Sequence, residues 1–356
     1  MILSFDAFDF TKLRFHYERK LFHFKQPSGT SRGILTEKHA WFLRIWKADD
    51  ESVVGTGECS IIPGLSPDFE SFSSYEAEIQ MLCMRANTGQ FSAYEELYNS
   101  IQQFPSVVFG VETALQDLQQ GGRGIFFETD FTAGKRAIPI NGLIWMGDEA
   151  FMQSQIDEKL ALGYTCIKMK IGAIEFAKEL AILRNLRMRF PASELTLRVD
   201  ANGAFSSAEA MGKLERLADL EIHSIEQPLA AGDWQAMATL CSKTPLPIAL
   251  DEELIGVQDS EKKKALITTI QPQFIILKPS LHGGISGCEE WISIATAAGI
   301  PWWITSALES NVGLNAIAQF TATYDNPLPQ GLGTGGLYVE NTPTKLHISQ
   351  GNLYFG

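Results

Sequence analysis

The sequence contains few cysteines, and they are not spaced as metal ligands or as disulfide pairs. The five are Cys59, Cys83, Cys166, Cys241 and Cys288, and no two of them form a CxxC motif. An odd number at scattered positions argues against a disulfide framework and against a thiolate metal site. We therefore expect these cysteines to be small buried apolar residues.

Long apolar runs and an excess of basic residues are also missing. No apolar run approaches the ~18 residues that a membrane span needs, and the first residues carry acid where a signal peptide carries base. The net charge of −13 would repel a polyphosphate backbone, which argues against nucleic-acid binding. The sequence thus predicts a cytoplasmic protein with neither a membrane nor a nucleic-acid partner.

The chain is long enough for two domains. Its 356 residues exceed a minimal α/β barrel by roughly one hundred. Residues 1–130 have the pattern of antiparallel strands followed by helices, which predicts an α+β capping domain. Residues 131–335 predict a barrel with a weak eighth strand near 330–334, and residues 336–356 predict a strand that returns to the capping domain.

Between residues 166 and 279, short apolar runs alternate with amphipathic segments of helix length. This alternation is typical of βαβ units and predicts a parallel sheet, which becomes an α/β barrel if it closes. Each run ends in a charged residue. In such barrels the chemistry lies at the carboxyl ends of the strands, so five charged side chains are expected at one mouth: Lys170, Asp200, Glu226, Asp251 and Lys278.

Three of these strand ends are consecutive carboxylates, namely Asp200, Glu226 and Asp251. Carboxylates crowded into one mouth repel each other unless a cation joins them. Hard oxygen ligands with room for water and substrate suit Mg²⁺, with Mn²⁺ as a substitute. The alternative explanation is three unrelated helix caps.

The lysines of the mouth predict proton transfer. Side chains alternate along a strand, so Lys168 and Lys170 face the same way. A buried Lys168 needs carboxylate partners, and its charge would favour loss of a proton from Lys170, which is therefore a candidate general base. Lys278 is expected across the barrel, so a substrate would have one proton-abstracting face and one cationic face.

These motifs together resemble the enolase superfamily and, within it, the muconate-lactonising-enzyme subgroup. The resemblance implies a (β/α)7β-type modified TIM barrel with a capping domain, three Mg²⁺ ligands, and a lysine base that converts a carboxylate substrate to an enediolate. The catalytic residues would be Lys168, Lys170 and Lys278. The motifs in the family's order and spacing are Lys168-Met-Lys170, Asp200-Ala-Asn202, Glu226-Gln-Pro228, Asp251-Glu252 and Lys278.

Further stretches are similar to the dehydratases of menaquinone synthesis within this subgroup. They are residues 278–284, 305–314 and 331–334, together with Arg198 two residues before the first ligand. The resemblance implies a hydro-lyase that removes water in a syn elimination from a small dicarboxylate, 2-succinyl-6-hydroxy-2,4-cyclohexadiene-1-carboxylate. Lys170 would serve as both base and acid.

The same resemblance implies where the substrate is contacted. Loops at residues 29–32 and 61–65 would fold over the mouth of the barrel. The implied substrate contacts are Arg198, Asn202, Ser306, Glu309, Thr30, Ser31, Leu65 and Thr334.

Other functions are compatible with parts of this pattern. An N-acylamino acid racemase or a dipeptide epimerase would use both lysines as bases, and a cycloisomerase would share the metal. Residues 331–334 lack the Asp-x-Asp with which, by resemblance, dipeptide epimerases of the subgroup hold an amino group, which counts against an epimerase. A metal-binding scaffold on a degenerate barrel predicts a missing ligand or base, and none is missing. A homo-oligomer is compatible with the sequence.

Overall fold

The computed structural model of the protein describes residues 2–30 and 33–356, apart from the Thr30 side chain. The first strands form an antiparallel meander of β1 (Leu13–Thr30), β2 (Gly33–Lys47) and β3 (Asp50–Ser60). Successive side chains of a strand point to opposite faces, so every second residue of β2 faces inward. Trp41, Leu43 and Ile45 lie on this inward face and are fully buried. This sheet is the base of the capping domain.

Helices α1 (Phe72–Asn87), α2 (Tyr94–Ile101) and α3 (Pro105–Gln119) follow the meander. Helix α3 begins with a proline, whose missing N–H costs nothing at the first helical position. It packs so closely on β3 that a Cβ on Gly57 would lie 1.9 Å from the Gly110 carbonyl oxygen. Only glycine fits at this contact, and α3 is accordingly buried between the meander and the barrel.

After the short strand β4 (Ile138–Pro139), the described residues contain a sheet of seven parallel strands in sequential order. Its members are β5 (Gly142–Ile144), β6 (Cys166–Lys170), β7 (Thr196–Asp200), β8 (Ser224–Glu226), β9 (Ile248–Leu250), β10 (Phe274–Leu277) and β11 (Trp302–Ile304).

A helix follows each strand of this sheet, as the sequence predicts for βαβ units. Several of these helices are preceded by an aspartate whose side chain accepts a hydrogen bond from a backbone N–H of the first turn. Examples are Asp148, Asp233 and Asp259. The helices are α4 (Glu149–Ala161), α5 (Phe176–Arg189), α6 (Ser207–Ala218), α7 (Trp234–Cys241), α8 (Ser260–Ile270), α9 (Gly284–Ala297) and α10 (Asn311–Thr321).

The segment at residues 330–331 joins the two ends of the sheet. Gln330 forms a parallel bridge with Ile140 before β5, and Gly331 forms one with Thr305 after β11. The Gly331 N–H also donates to the Ile304 carbonyl oxygen at 2.8 Å. The weak eighth strand of the sequence is therefore a pair of bridges that closes the barrel.

The C-terminal segment contacts both domains, although the sequence predicts only a return to the capping domain. The Val339 N–H donates to the His23 carbonyl oxygen of β1 at 2.9 Å. The last hairpin, β12 (Leu346–Ser349) and β13 (Asn352–Phe355), pairs instead with β4 at the start of the barrel. Burial of Leu353 accounts for this second attachment, and the domain boundaries themselves stay a prediction.

The structure confirms the expectation for the cysteines, because all five are buried and unpaired. Across residues 2–30 and 33–356, no helix combines the length and the apolar character that crossing a membrane requires.

Candidate active site

A cavity of about 310 Å³ lies at the carboxyl ends of the barrel strands, beneath the capping domain. The barrel lines it with residues at or just after the strand ends. The capping domain lines it with Ile34, Leu35, Ile62, Pro63 and Leu65. A concave site of this size, mostly apolar and with a few convergent polar groups, is typical of small-molecule binding.

Lys168 lies between two of the three candidate metal ligands. The parallel register aligns Lys170 with Asp200 and Asp200 with Glu226, so their side chains share the inner face of the barrel. The Lys168 Nζ lies 3.1 Å from Asp200 Oδ2 and also contacts Glu226 Oε2. The structure therefore gives Lys168 the carboxylate partners that its burial demands.

Lys170 lines the cavity and is held by two oxygen atoms. Its Nζ donates to Asp200 Oδ2 at 2.9 Å and to Asn202 Oδ1 at 2.8 Å. Asn202 has a left-handed backbone with φ of 44°, and its Nδ2 donates to Glu252 Oε1 at 3.0 Å. Such a conformation is uncommon outside glycine and concentrates at functional sites. The Lys170 Nζ is thus placed by the loop that follows β7.

Lys278 occupies the opposite side of the cavity, since β7, β8 and β9 separate its strand from that of Lys170. Its Nζ contacts Asp251 Oδ2, and its peptide N–H donates to His282 Nδ1 at 2.9 Å. Burial opposes the charge of Lys278, but the carboxylates of Asp251, Glu226 and Glu252 together outweigh it and raise the pKa of the lysine above its usual value. Lys278 is therefore held as a cation.

The candidate metal ligands are in a strongly polarised environment. Burial alone would raise the pKa of Asp200, but the charges of Lys168 and Lys170 outweigh it and hold that pKa well below its usual range. Burial and the negative charge of Asp200 raise the pKa of Glu226 instead. Burial opposes the charge of Asp251 too, yet Lys278 and Lys168 lower its pKa. Two of the three carboxylates are thereby held ionised by lysines.

The donor atoms fit a divalent cation, although the lysines lie between them. No three carboxylate, histidine or cysteine groups of the described chain converge tightly enough to hold a metal ion by themselves. Glu226 Oε1 and Asp251 Oδ1 are nevertheless buried without a hydrogen-bond partner. A buried carboxylate oxygen is costly when it has no partner, and a hard cation would satisfy both atoms.

Four residues that the sequence predicts to contact the substrate lie at the cavity, and the contacts themselves stay predictions. Asn202, Ser306, Thr334 and Leu65 all line the cavity. The Ser306 and Thr334 hydroxyl oxygens lie 2.6 Å apart, so they form a polar patch on one wall. Ser31 and the Thr30 side chain lie outside the described residues, and their predicted contacts stay predictions.

Two further predicted substrate contacts, Arg198 and Glu309, are not among the described residues that line the cavity, and their contacts with substrate stay predictions. Arg198 lies deeper in the barrel and donates to the Pro329 carbonyl oxygen at 2.7 Å. Its guanidinium carbon lies over the Trp303 ring, 4.0 Å from the ring centroid. Its place two residues before Asp200 on an inward-facing row explains this depth. Glu309 is fully buried and accepts from the Ser280 hydroxyl at 2.5 Å.

Sequence analysis missed the part of the wall that follows the first barrel strand. Asn141, Leu143 and Trp145 line the cavity, and Asn141 Oδ1 is buried without a partner. The available signal was their position around β5, since residues at strand ends face the mouth whether or not they are charged.

Comparison with known proteins identifies a family and several relatives that the chain resembles. Residues 152–354 match the model of the family described as enolase C-terminal domain-like. The chain is 48% identical to an o-succinylbenzoate synthase of Desulfotalea psychrophila over 95% of its own length and 97% of the relative's. It is 28% identical to an L-Ala-D/L-Glu epimerase of Bacillus subtilis, over 78% of this chain and 76% of that one.

Solved structures agree with the predicted fold. The crystal structure of MenC from Desulfotalea psychrophila superimposes with a TM-score of 0.83 at 44% identity, covering 96% of this chain and 99% of that one. The substrate-liganded epimerase of Bacillus subtilis gives a TM-score of 0.81 at 24% identity, with 96% of each chain covered, and therefore bears on the fold alone. The modified TIM barrel with an N-terminal capping domain is confirmed.

Proposed function

This chain belongs to the enolase superfamily, and we propose that it is an o-succinylbenzoate synthase of menaquinone synthesis. It removes water from 2-succinyl-6-hydroxy-2,4-cyclohexadiene-1-carboxylate and yields 2-succinylbenzoate. The observation that carries this proposal is the 48% identity to such an enzyme over both domains. The facing lysines of the cavity support it, because they provide groups for the proton transfers that a dehydration needs.

Enzymes of this superfamily generally use a divalent metal, and we assign that role here to Mg²⁺, with Mn²⁺ as a substitute. Asp200, Glu226 and Asp251 would hold it, in agreement with the two unpartnered oxygens of Glu226 and Asp251. When bound, the cation neutralises negative charge that develops on the substrate carboxylate as its α-proton leaves.

Lys170 takes the α-proton as general base. The electrons of the broken C–H bond form the new double bond of the ring, and the C–O bond of the β-hydroxyl breaks. Lys170, now protonated on the same face of the ring, returns the proton to the leaving oxygen, and water departs. A single lysine can serve both steps of a syn elimination, and Asn202 Oδ1 at 2.8 Å keeps its Nζ in place.

Lys278 remains protonated on the other face of the ring. Its raised pKa and its ion pair with Asp251 favour the charged form, so it is suited to stabilise negative charge. We assign the two lysines unequal roles, which separates a dehydratase from an enzyme that uses both lysines as bases.

The cavity walls suit a ring that carries an acidic tail. Leu65, Leu143 and Trp145 offer apolar surface to the ring, and the Ser306 and Thr334 hydroxyls offer donors to the tail carboxylate. The partner is therefore a small-molecule dicarboxylate, bound between the barrel and the capping domain.

The direct test is conversion of the cyclohexadiene substrate by the purified protein in Mg²⁺, followed by separation and quantification of 2-succinylbenzoate. We expect rapid product formation that EDTA stops, and product formation slower by ~10² to 10⁴ with the Lys170→Ala variant. Product formation no faster than the spontaneous reaction with the unaltered protein would overturn the proposal.

A further inference from the structure

The cavity wall after β11 contains a bulky residue in a left-handed conformation. Leu308 has a φ of 60° and lines the cavity together with Ser306 and Ala307. For a leucine this region of φ and ψ is uncommon, and it persists only where surrounding contacts fix it. Contacts from surrounding residues are therefore required to keep Leu308 in this state.

Two buried residues supply these contacts through the backbone. The Lys38 Nζ, from β2 of the capping domain, donates to the Ala307 carbonyl oxygen. The Tyr338 hydroxyl, from the C-terminal segment, donates to the Leu308 carbonyl oxygen at 2.5 Å. Two consecutive carbonyls of the wall are thus held by donors that do not themselves line the cavity, among the residues described there.

Both donors are firmly placed. The Tyr338 ring packs against Phe22 and Phe24 of β1, with ring centroids 5.0 and 4.9 Å apart. Lys38 is 5% exposed, and the nearby carboxylates of Glu309 and Glu58 favour its charge, although burial lowers its pKa to about 8. A charged donor buried in this way makes a strong hydrogen bond to a carbonyl.

Glu309 completes the attachment of the wall. Its Oε2 accepts from the Ala307 N–H at 2.7 Å, and its Oε1 accepts from the Ser280 hydroxyl after β10 at 2.5 Å. Both backbone polar groups of Ala307 are therefore held, the carbonyl oxygen by Lys38 of the capping domain and the N–H by Glu309 of the barrel. This role also explains why Glu309 is buried rather than open to substrate.

The held carbonyls determine where the neighbouring peptide donors point. A trans peptide carries its C=O and its N–H on opposite sides, and the described residues contain no cis peptide bond. A carbonyl of Ala307 directed at Lys38 thus turns the Leu308 N–H away from Lys38. Oriented backbone N–H groups next to a left-handed residue are suited to bind a carboxylate.

We propose that Lys38 and Tyr338 are positioning residues for substrate binding, which fix the wall formed by residues 306–308 against the tail carboxylate of the substrate. This inference rests on the proposed function for the identity of the substrate, and the attachment of the wall does not depend on it. The Ser306 hydroxyl and the Leu308 N–H are the groups that the attachment orients.

The test compares Lys38→Met and Tyr338→Phe with two matched controls. Lys263→Met removes a buried lysine that pairs with Glu290 at 2.5 Å, and Tyr75→Phe removes a buried hydroxyl that lies 2.6 Å from the Ser106 hydroxyl. Neither control residue lines the cavity as described. The Tyr338→Phe variant keeps its ring between Phe22 and Phe24, which secures the test if Lys38→Met fails to fold.

Two readouts are measured on all four variants: kcat and KM for dehydration, and hydrogen exchange of the backbone amides of residues 305–309. We expect a rise in KM of roughly tenfold for Lys38→Met and Tyr338→Phe, with kcat changed much less and with faster exchange at residues 305–309. The controls should leave KM and this exchange unchanged.

The outcomes separate this inference from the proposed function. Unchanged KM and unchanged exchange in both variants would overturn it, and so would an equal rise of KM in the controls, because the effect would then be general destabilisation. If the unaltered protein fails to dehydrate the cyclohexadiene, the proposed function falls. Hydrogen exchange alone then decides whether Lys38 and Tyr338 hold the wall.

Discussion

Glu112 of the capping domain accepts a 2.6 Å hydrogen bond from the peptide N–H of Ile285, at the start of barrel helix α9. The Ser286 hydroxyl and the Tyr94 hydroxyl, the latter at 3.0 Å, donate to the same carboxyl. Glu58 holds the start of α10 in the same way through the Ser310 N–H at 2.8 Å. Two buried acids thus fasten the capping domain to the barrel.

Replacing Glu112 by alanine should destabilise the protein. The change leaves buried N–H groups unpaired, which costs about 2–4 kcal/mol. Glu112→Gln should cost less, because its carbonyl oxygen can accept from the backbone while its amide faces the two hydroxyls. Urea unfolding of both variants checks this, with the exposed Glu215→Gln as control. Equal stability of Glu112→Ala and the control would contradict the account.

Glu112 should also make stability depend on pH. Burial raises the pKa of this carboxyl to about 7 in the folded protein, against about 4.3 for an unfolded glutamate. The folded state therefore binds the proton more tightly, and the group's contribution to stability falls as pH rises from about 4.3 to 7.

The Glu112→Gln variant cannot titrate at this position. Between pH 5 and 7.5, the free energy of unfolding of the unaltered protein should fall relative to that of the variant by on the order of 2 kcal/mol. Unfolding curves measured at both pH values give this difference directly. A constant difference across the range would show that the carboxyl ionises in the folded protein as it does in the unfolded chain.

Removal of the metal ligands should abolish activity with little loss of fold. Asp200→Asn and Glu226→Gln weaken cation binding, while the barrel keeps its strands and its packed core. Added Mg²⁺ should raise the Tm of the unaltered protein, because a ligand that binds only the folded state stabilises it, and should not raise the Tm of the variants. Full activity of the unaltered protein in EDTA would refute the assignment.

The two lysines should be separable by their variants. Lys170→Ala removes both acid and base and should lower kcat by ~10² to 10⁴, whereas Lys278→Arg keeps a positive charge and should retain part of the activity. Exchange of the α-proton of a non-eliminating analogue with deuterated solvent provides the second measurement. If that exchange survives in Lys170→Ala, the proton leaves on the Lys278 face.

The sequence predicted the barrel and the mouth well because both depend on local patterns. Apolar runs that each end in a charged residue define the strands. Because the strands are parallel, Lys170, Asp200 and Glu226 lie together at their carboxyl ends. The contact of Arg198 with Trp303 could not be predicted, because it joins residues far apart in the chain.

The attachment of the wall formed by residues 306–308 could not be predicted, since it depends on contacts between domains. Lys38 and Ala307 are 269 residues apart, and nothing in the local sequence of either indicates the other. The contact of Glu309 with Ser280 was not predicted for the same reason, because an acid near a predicted mouth gives no sign that Ser280 donates to it. Asn141 carries no charge, so its position before β5 was the available signal.

The measurement that tests the central claim most directly is a side-by-side determination of kcat/KM. The purified protein in Mg²⁺ is assayed for dehydration of 2-succinyl-6-hydroxy-2,4-cyclohexadiene-1-carboxylate, for racemisation of N-succinyl amino acids and for epimerisation of dipeptides. We predict that dehydration has the highest kcat/KM, with dipeptides as poor substrates or none. A higher kcat/KM for racemisation or epimerisation would contradict the account, because it would mean that both lysines act as bases.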